Sequence, residues 1–456
     1  MIRYKRKQSI RKRQIQQSMK LNLRYITLFI LAVVGCRESD EEAILGRPEE
    51  RMEKILKEYK EQLVSSPYGW KGFIFPGLGG GYSFLFDFTA EGRVSMMADI
   101  NYDCADKPYE SSFRLEAVQR PSLFFDTYSY LHILADPDPD TIGGNLGQGL
   151  LSDFEFAFES VNSDTIHLKG NQNDTPLILI KASQEEAQAF KSGAVNTVMA
   201  NTSAYGKSNP FLYIQSNDGK RLNTSFNLDT KSFALSYKQA DSLNITSTPF
   251  GYTARGIFLQ KPVRYRNIEF QEVFYDDASE EWYVDVNGTR TNVNSTADPV
   301  LPLHLLLGVD FSVISIPTKP LDGQSPVFVT TTGNVAGALG NMSLGLSFME
   351  FDFNTENKTV NFNVFIRSLS NGRLYLAQYP YVYTKSSDGV FKFSPYDEPN
   401  GNAEYIQESM APLLYYINKY RFRMEYFNAS GQYVAQMKCV ESPAFYFTAN
   451  FGSAVF

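Results

Sequence analysis

The hydrophobic positions of this chain change period several times, and each change marks an element. From Pro48 to Val64 the apolar residues Met52, Ile55, Leu56, Tyr59 and Leu63 recur at helical spacing, while Lys and Glu fill the opposite face. Pro48 suits a first helical turn, Glu49 and Glu50 complement its positive end, and Ser65-Ser66-Pro67 stops it. From Trp70 the period drops to two. Phe73 and Phe75 lead into a turn rich in glycine (Gly77, Gly79, Gly80, Gly81). Tyr82, Phe84, Phe86 and Phe88 then alternate with smaller or polar residues. This predicts a strand, a hairpin loop and a second strand. The glycines do not read as a phosphate loop, because a strand follows them rather than a helix opened by Lys-Ser/Thr.

Further alternation predicts strands near Ser112–Val118 and Leu123–Leu134, a hairpin from Phe154–Phe158 to Thr165–Gly170, and a strand at Leu177–Ile180. Ser183-Gln-Glu-Glu186 is a capped helix start, with the helix expected to reach Met199. The polar run Asn201–Asn209 reads as a domain boundary. Beyond it, short strands follow one another through Phe211–Gln215, Phe233–Tyr237, Ile268–Tyr275 and Glu281–Val286, where Asn287-Gly288 is a hairpin turn signal. Pro299–Gly308 is apolar without a readable period. Strands resume at Ser347–Phe353, Thr359–Ile366, Leu374–Tyr383 and Val390–Phe393. A helix is expected over Ala403–Tyr420 with Pro412 inside it, and two closing strands follow at Phe422–Phe427 and Tyr433–Val440. The fold class is mainly β with a few packing helices, α+β by strict count. The expected division is two β-rich domains, 47–205 and 206–456.

Composition agrees: 35 Phe and 28 Tyr favour half-buried pleated surfaces. Charge adds information only once the N-terminus is set aside. Positions 1–35 carry nine Lys/Arg and no acid, so the remainder holds 34 basic against 50 acidic residues, a net of −16. Such a surface argues against nucleic acid as a partner. Met19–Cys36 has a basic start (Lys20, Arg24), an apolar run from about Tyr25 to Val34 too short to span a bilayer, and Gly35 before Cys36. It resembles a bacterial lipoprotein signal, with Val33 where leucine is usual. Residues 1–35 are therefore expected to be a signal peptide, whose start is better placed at Met19. Cys36 is the expected lipid attachment, and 36–46 an acidic tether.

Candidate chemistry is sparse. His132, His167 and His304 read as structural. No zinc spacing, nucleophile elbow or dinucleotide fingerprint is present. Asp136, Asp138 and Asp140 alternate as calcium ligands do, but Thr141 and Gly147 stand where such a loop needs Gly and Glu. They form a weak candidate metal loop and otherwise a surface turn. Cys104 and Cys439 are left either paired or free. No cofactor is implied.

Several positions together resemble a known family. They are Arg51, Glu58, Leu63, Pro67-Tyr68-Gly69-Trp70, Gly80-Gly81-Tyr82, Phe86, Phe88, Gly92-Arg93-Val94 and Met96. Further along, Asp136-Pro137, Asp153-Phe154-Glu155-Phe156, Asp164-Thr165-Ile166, Leu168-Lys169-Gly170, Pro249-Phe250, Tyr252-Thr253 and Gly256 continue the set. The set is similar to the Bacteroidetes lipoproteins catalogued as domain of unknown function 4302. That resemblance carries no catalytic residues. It implies a lipid-anchored outer-membrane or cell-surface accessory, held to the membrane through Cys36, that binds ligand for a TonB-dependent importer. The alternatives are a secreted carboxylate-based hydrolase such as a glycosidase, and a structural partner of another surface lipoprotein.

Overall fold

The computed structural model describes residues 47–117, 119–240 and 242–454. The signal peptide, Cys36 and the tether lie outside them. Two units are distinguished, divided after Glu58. The described part of the first is the opening of the helix Pro48–Val64, whose ends coincide with the sequence reading. The rest of that helix and everything to the C-terminus belong to the second.

The β-rich expectation holds, and the strands pair as three meanders, each closed on itself with eight strands. The first runs from Trp70–Ile74 to Pro176–Lys181, and these two strands pair antiparallel to complete the ring. The second runs from Phe211–Gln215 to Thr289–Thr296, closed by the same device. The third runs from Val313–Pro317 to Tyr446–Phe451. The stretch 206–456, expected to be one domain, thus contains two closed sheets. Closure leaves no unpaired strand edge, which is how antiparallel sheets avoid templating other chains.

Alternation decides what each sheet encloses. In the first barrel Trp70, Phe84, Phe86, Phe125 and Phe156 are buried, and Phe86 lies 5.1 Å from Phe84 and 5.8 Å from Phe125, centroid to centroid. An eight-stranded barrel has an interior that side chains just fill, and here aromatics fill it. Gly72 is glycine for this reason: a Cβ there would sit 2.4 Å from the Phe86 ring. Trp70 donates its indole N–H to the Leu63 carbonyl at 2.7 Å, tying the helix end to the first strand. Asp153, 4% exposed, accepts from the backbone N–H groups of Gln172, Asn173 and Thr175 and fixes the last turn of this barrel.

The helices after Ser183 are two, Gln184–Lys191 and Ala194–Ser208, broken at Gly193 with φ +84°. The polar run Asn201–Asn209, read as a boundary, is mostly the second of them. Its inward positions Val195, Val198 and Thr202 are buried, and tertiary packing overrides the weak local propensity. The strand expected through Leu134 ends at Phe125, and Tyr130–Leu134 is a helical turn. The third barrel carries the helix Gly401–Lys419, continuous through Pro412, and a helix over Pro326–Asn341 that the sequence reading passes over. Phe328, Val335 and Leu339 of the latter enter the same core as Ile406, Met410 and Leu413 of the former. Cys104 and Cys439 are free and buried, one in the first core and one in the third.

Candidate functional site

The first and second barrels meet backbone to backbone. A Cβ on Gly81 would lie 2.6 Å from the Phe250 carbonyl, and one on Gly251 would lie 3.0 Å from the Ser83 nitrogen. Asp99 closes this joint. Its carboxylate accepts from Ser83 N at 2.9 Å in its own barrel and from Tyr252 N at 2.7 Å in the next. Lys231 supplies the counter-charge, with Nζ 2.9 Å from Asp99 Oδ2, 4.2 Å from the Tyr82 ring centroid and 5.3 Å from that of Tyr252. Burial pushes the Tyr82 hydroxyl up to about 12, with the Asp99 charge adding to it, and burial pulls the Lys231 ammonium down against the opposing pull of Asp99. Beside the joint, Phe73 stacks on Phe258 at 4.1 Å. Gly81, Tyr82, Phe250 and Tyr252, singled out in the sequence as family positions, therefore build the joint.

A recess of about 270 Å³ opens near this joint, lined by Lys71, Ser83, Glu186, Arg255 and Glu272 among others. Burial pushes the Glu272 carboxyl up. Burial works the same way on Glu186, but hydrogen bonds from Lys71 and the Ser183 backbone outweigh it and hold that carboxyl low. Two carboxyls pushed apart are what acid–base chemistry requires. Glu186 is already committed, however: it bonds Lys71 and completes the capping box of the helix Gln184–Lys191.

The larger cavity, about 490 Å³, lies where the second barrel meets the helix Ala194–Ser208, the segment Leu306–Phe311 and Tyr426 of the third barrel. Its volume suits a small organic molecule. Aromatic side chains form much of the wall. The Phe226 ring is 5.0 Å from Trp282, and Phe211 meets Tyr426 edge-on at 5.4 Å. Into this setting the segment after the short helix Leu303–Leu306 brings Asp310. Its Oδ1 accepts from Ser225 Oγ at 2.9 Å and its Oδ2 from Asn223 Nδ2 at 3.2 Å. Burial pushes its carboxyl up in spite of both bonds. Among the described residues no Lys, Arg or His pairs with it, and none lines the cavity. Trp282 Nε1 and Tyr426 Oη, on residues of the same wall, are buried without a hydrogen-bond partner among the described residues. Burial raises the Tyr426 hydroxyl, and the Asp310 charge raises it further. Buried donors are rarely left unmade, which sets these two apart from the rest of the wall.

The residues proposed from sequence do not gather here. Asp136 accepts from Asp138 N at 3.0 Å and from the Tyr128 hydroxyl at 3.1 Å. Asp138 accepts from Asp140 N at 3.0 Å and caps the turn Pro139–Ile142. These carboxylates shape a loop, and among the described residues no group of three or more His, Cys, Asp or Glu could hold a metal. His132 stacks on Phe154 at 4.4 Å, and His167 faces solvent. His304 departs from the expectation of a satisfied histidine, because its Nε2 is buried with no partner. The cavity residues share no local spacing in the sequence, because they come from positions 202–234, 247, 282, 306–311 and 426. One signal was present: an aspartate, Asp310, within the apolar run Leu305-Leu306-Leu307-Gly308-Val309-Asp310-Phe311.

Fold and cavities define a protein of tandem closed eight-stranded β-meanders with a cavity walled by the second and third. The chain belongs to the family described as Domain of unknown function (DUF4302), whose model matches residues 40–277, just over half its length. No curated protein matches the sequence. Among solved structures, the β chain of DNA polymerase III from Streptococcus pneumoniae aligns at 9% identity over 88% of this chain and 98% of that one. Its TM-score is 0.12, too low to carry an argument.

Proposed function

We propose that this protein is a lipid-anchored outer-membrane or cell-surface accessory of the Bacteroidetes type, which captures a small ligand for a TonB-dependent importer by binding and without catalysis. The observation that carries the binding half of this reading is the 490 Å³ cavity, with its aromatic wall, unpaired carboxylate and two unpartnered donors. The hydrolase alternative is weaker, because Glu186 is held by Lys71 and by its own helix cap and is not free to act as a base. The anchoring half rests on the pattern of Met19–Cys36 and on the acidic run behind it. A diacylated and N-acylated Cys36 carries three chains, and each buried methylene contributes about 0.8 kcal/mol.

The test has two arms. Cys36→Ser should release the chain from the membrane fraction; unchanged membrane association would refute the anchor. Affinity capture of the wild-type chain from its native outer membrane should recover an importer; recovery of none would refute the uptake role.

A further inference from the structure

The chemistry of the larger cavity narrows which ligand the proposed accessory takes. Resting on that reading, we propose that the cavity between the second and third barrels takes an organic cation, a small free amine or quaternary ammonium.

The wall is selective by sign. Asp310 is a carboxylate held by two neutral donors, Ser225 and Asn223, and Asp229 adds a second carboxylate to the lining. No cationic side chain stands among the described lining residues. An anionic ligand would therefore meet like charge with nothing to compensate it. For the same reason a phosphate-bearing lipid headgroup does not fit, although it offers the same ammonium.

Between a cation and a neutral polyol, the carboxylate decides. A neutral hydroxyl can bond Asp310 but leaves its charge uncompensated in a desolvated site. An ammonium supplies the missing counter-ion. Aromatic residues reinforce the choice, since Phe226, Phe311 and Tyr426 line the cavity and ring quadrupoles attract a cation most when water is excluded.

Choline carries the charge, and its carbon isostere, with a quaternary carbon in place of nitrogen, keeps the shape and hydroxyl but loses it. The experiment is calorimetric titration of the full chain with each, alongside fluorescence of Trp282. Trp282→Phe serves to separate that signal from buried Trp70. Choline should bind at least tenfold more tightly than the isostere. Asp310→Asn should erase the difference while remaining at least as stable as wild type. Binding by wild type should strengthen as pH rises and Asp310 ionises. Equal binding of the two probes overturns the inference, as does choline binding that Asp310→Asn leaves intact or no choline binding at all. If maltose bound in place of choline, the cation inference would fall while the ligand-binding reading stood.

Discussion

Asp99 of the first barrel and Lys231 of the second stand 2.9 Å apart, with the carboxylate side chain completely removed from solvent and the ammonium side chain 11% exposed. The pair links two closed sheets, and Asp99 also accepts one backbone N–H from each. Removing one partner of such a pair strands the other charge. Lys231→Met should therefore cost about 3–5 kcal/mol, read as a fall in the denaturant midpoint. The double variant with Asp99→Asn should recover part of that loss, because the stranded carboxylate is gone. A loss below about 1 kcal/mol would show that the joint tolerates the bare carboxylate.

The same joint makes a steric prediction. Gly81→Ala puts a methyl 2.6 Å from the Phe250 carbonyl, a backbone neighbour that cannot swing aside. The expected cost is about 1–3 kcal/mol. Gly337→Ala is the matched control: it lies in the helix Pro326–Asn341, where the new methyl meets nothing within 4 Å. It should stabilise by about 0.5–1 kcal/mol. Thermal melts of the two variants should move in opposite directions.

Much of this was legible in the sequence. Helix Pro48–Val64, the Trp70–Phe88 hairpin and the Asn287-Gly288 turn each obey a local rule, the last with φ +54° and +79° at the two turn residues. What was lost follows from the same locality. Helix Pro326–Asn341 is masked by Gly333, Gly337 and Gly340 and by five threonine and asparagine positions that depress its propensity; its cap, Ser325 Oγ accepting from Phe328 N, was the available cue. Closure of a meander joins strands about a hundred residues apart, as Trp70 pairs with Lys181, and no periodicity reports it. The cavity depends on that closure and on one residue from the third barrel, so its members could not be read together.

Asp310 gives a prediction of unusual sign. Its folded carboxyl is pushed above the ordinary aspartate value, so the folded state holds its proton more tightly than the unfolded chain does. That contribution favours folding below the unfolded value and is lost as pH rises through the folded one. Asp310→Asn should therefore match wild type in acid and exceed it in stability near neutrality, by about 1–3 kcal/mol. Denaturant melts of both proteins across that range would measure it. A variant less stable than wild type at neutral pH would mean that the ionised carboxylate is well solvated.

His304 behaves oppositely. Burial, helped by the nearby Lys385 charge, pulls its imidazole below the usual histidine value. The stability it contributes is complete above the unfolded value and is lost as pH falls through the folded one. Replacing it with Phe should flatten the acid limb of the stability profile. Because Gly389 abuts the ring, with a Cβ there only 2.5 Å from Nδ1, the smaller His304→Leu is the companion variant should Phe not fit. An acid limb unchanged in both would remove His304 from the account.

On the proposed function, ligand is met at the wall of Asp310, Phe226 and Tyr426 and not elsewhere on the molecule. The direct measurement is an experimental structure of the full chain determined with saturating choline. Density for the ligand within reach of Asp310, with Phe226 at its side, is the predicted result. Density in the recess of Lys71, Glu186 and Glu272, or an empty cavity at saturation, would contradict it.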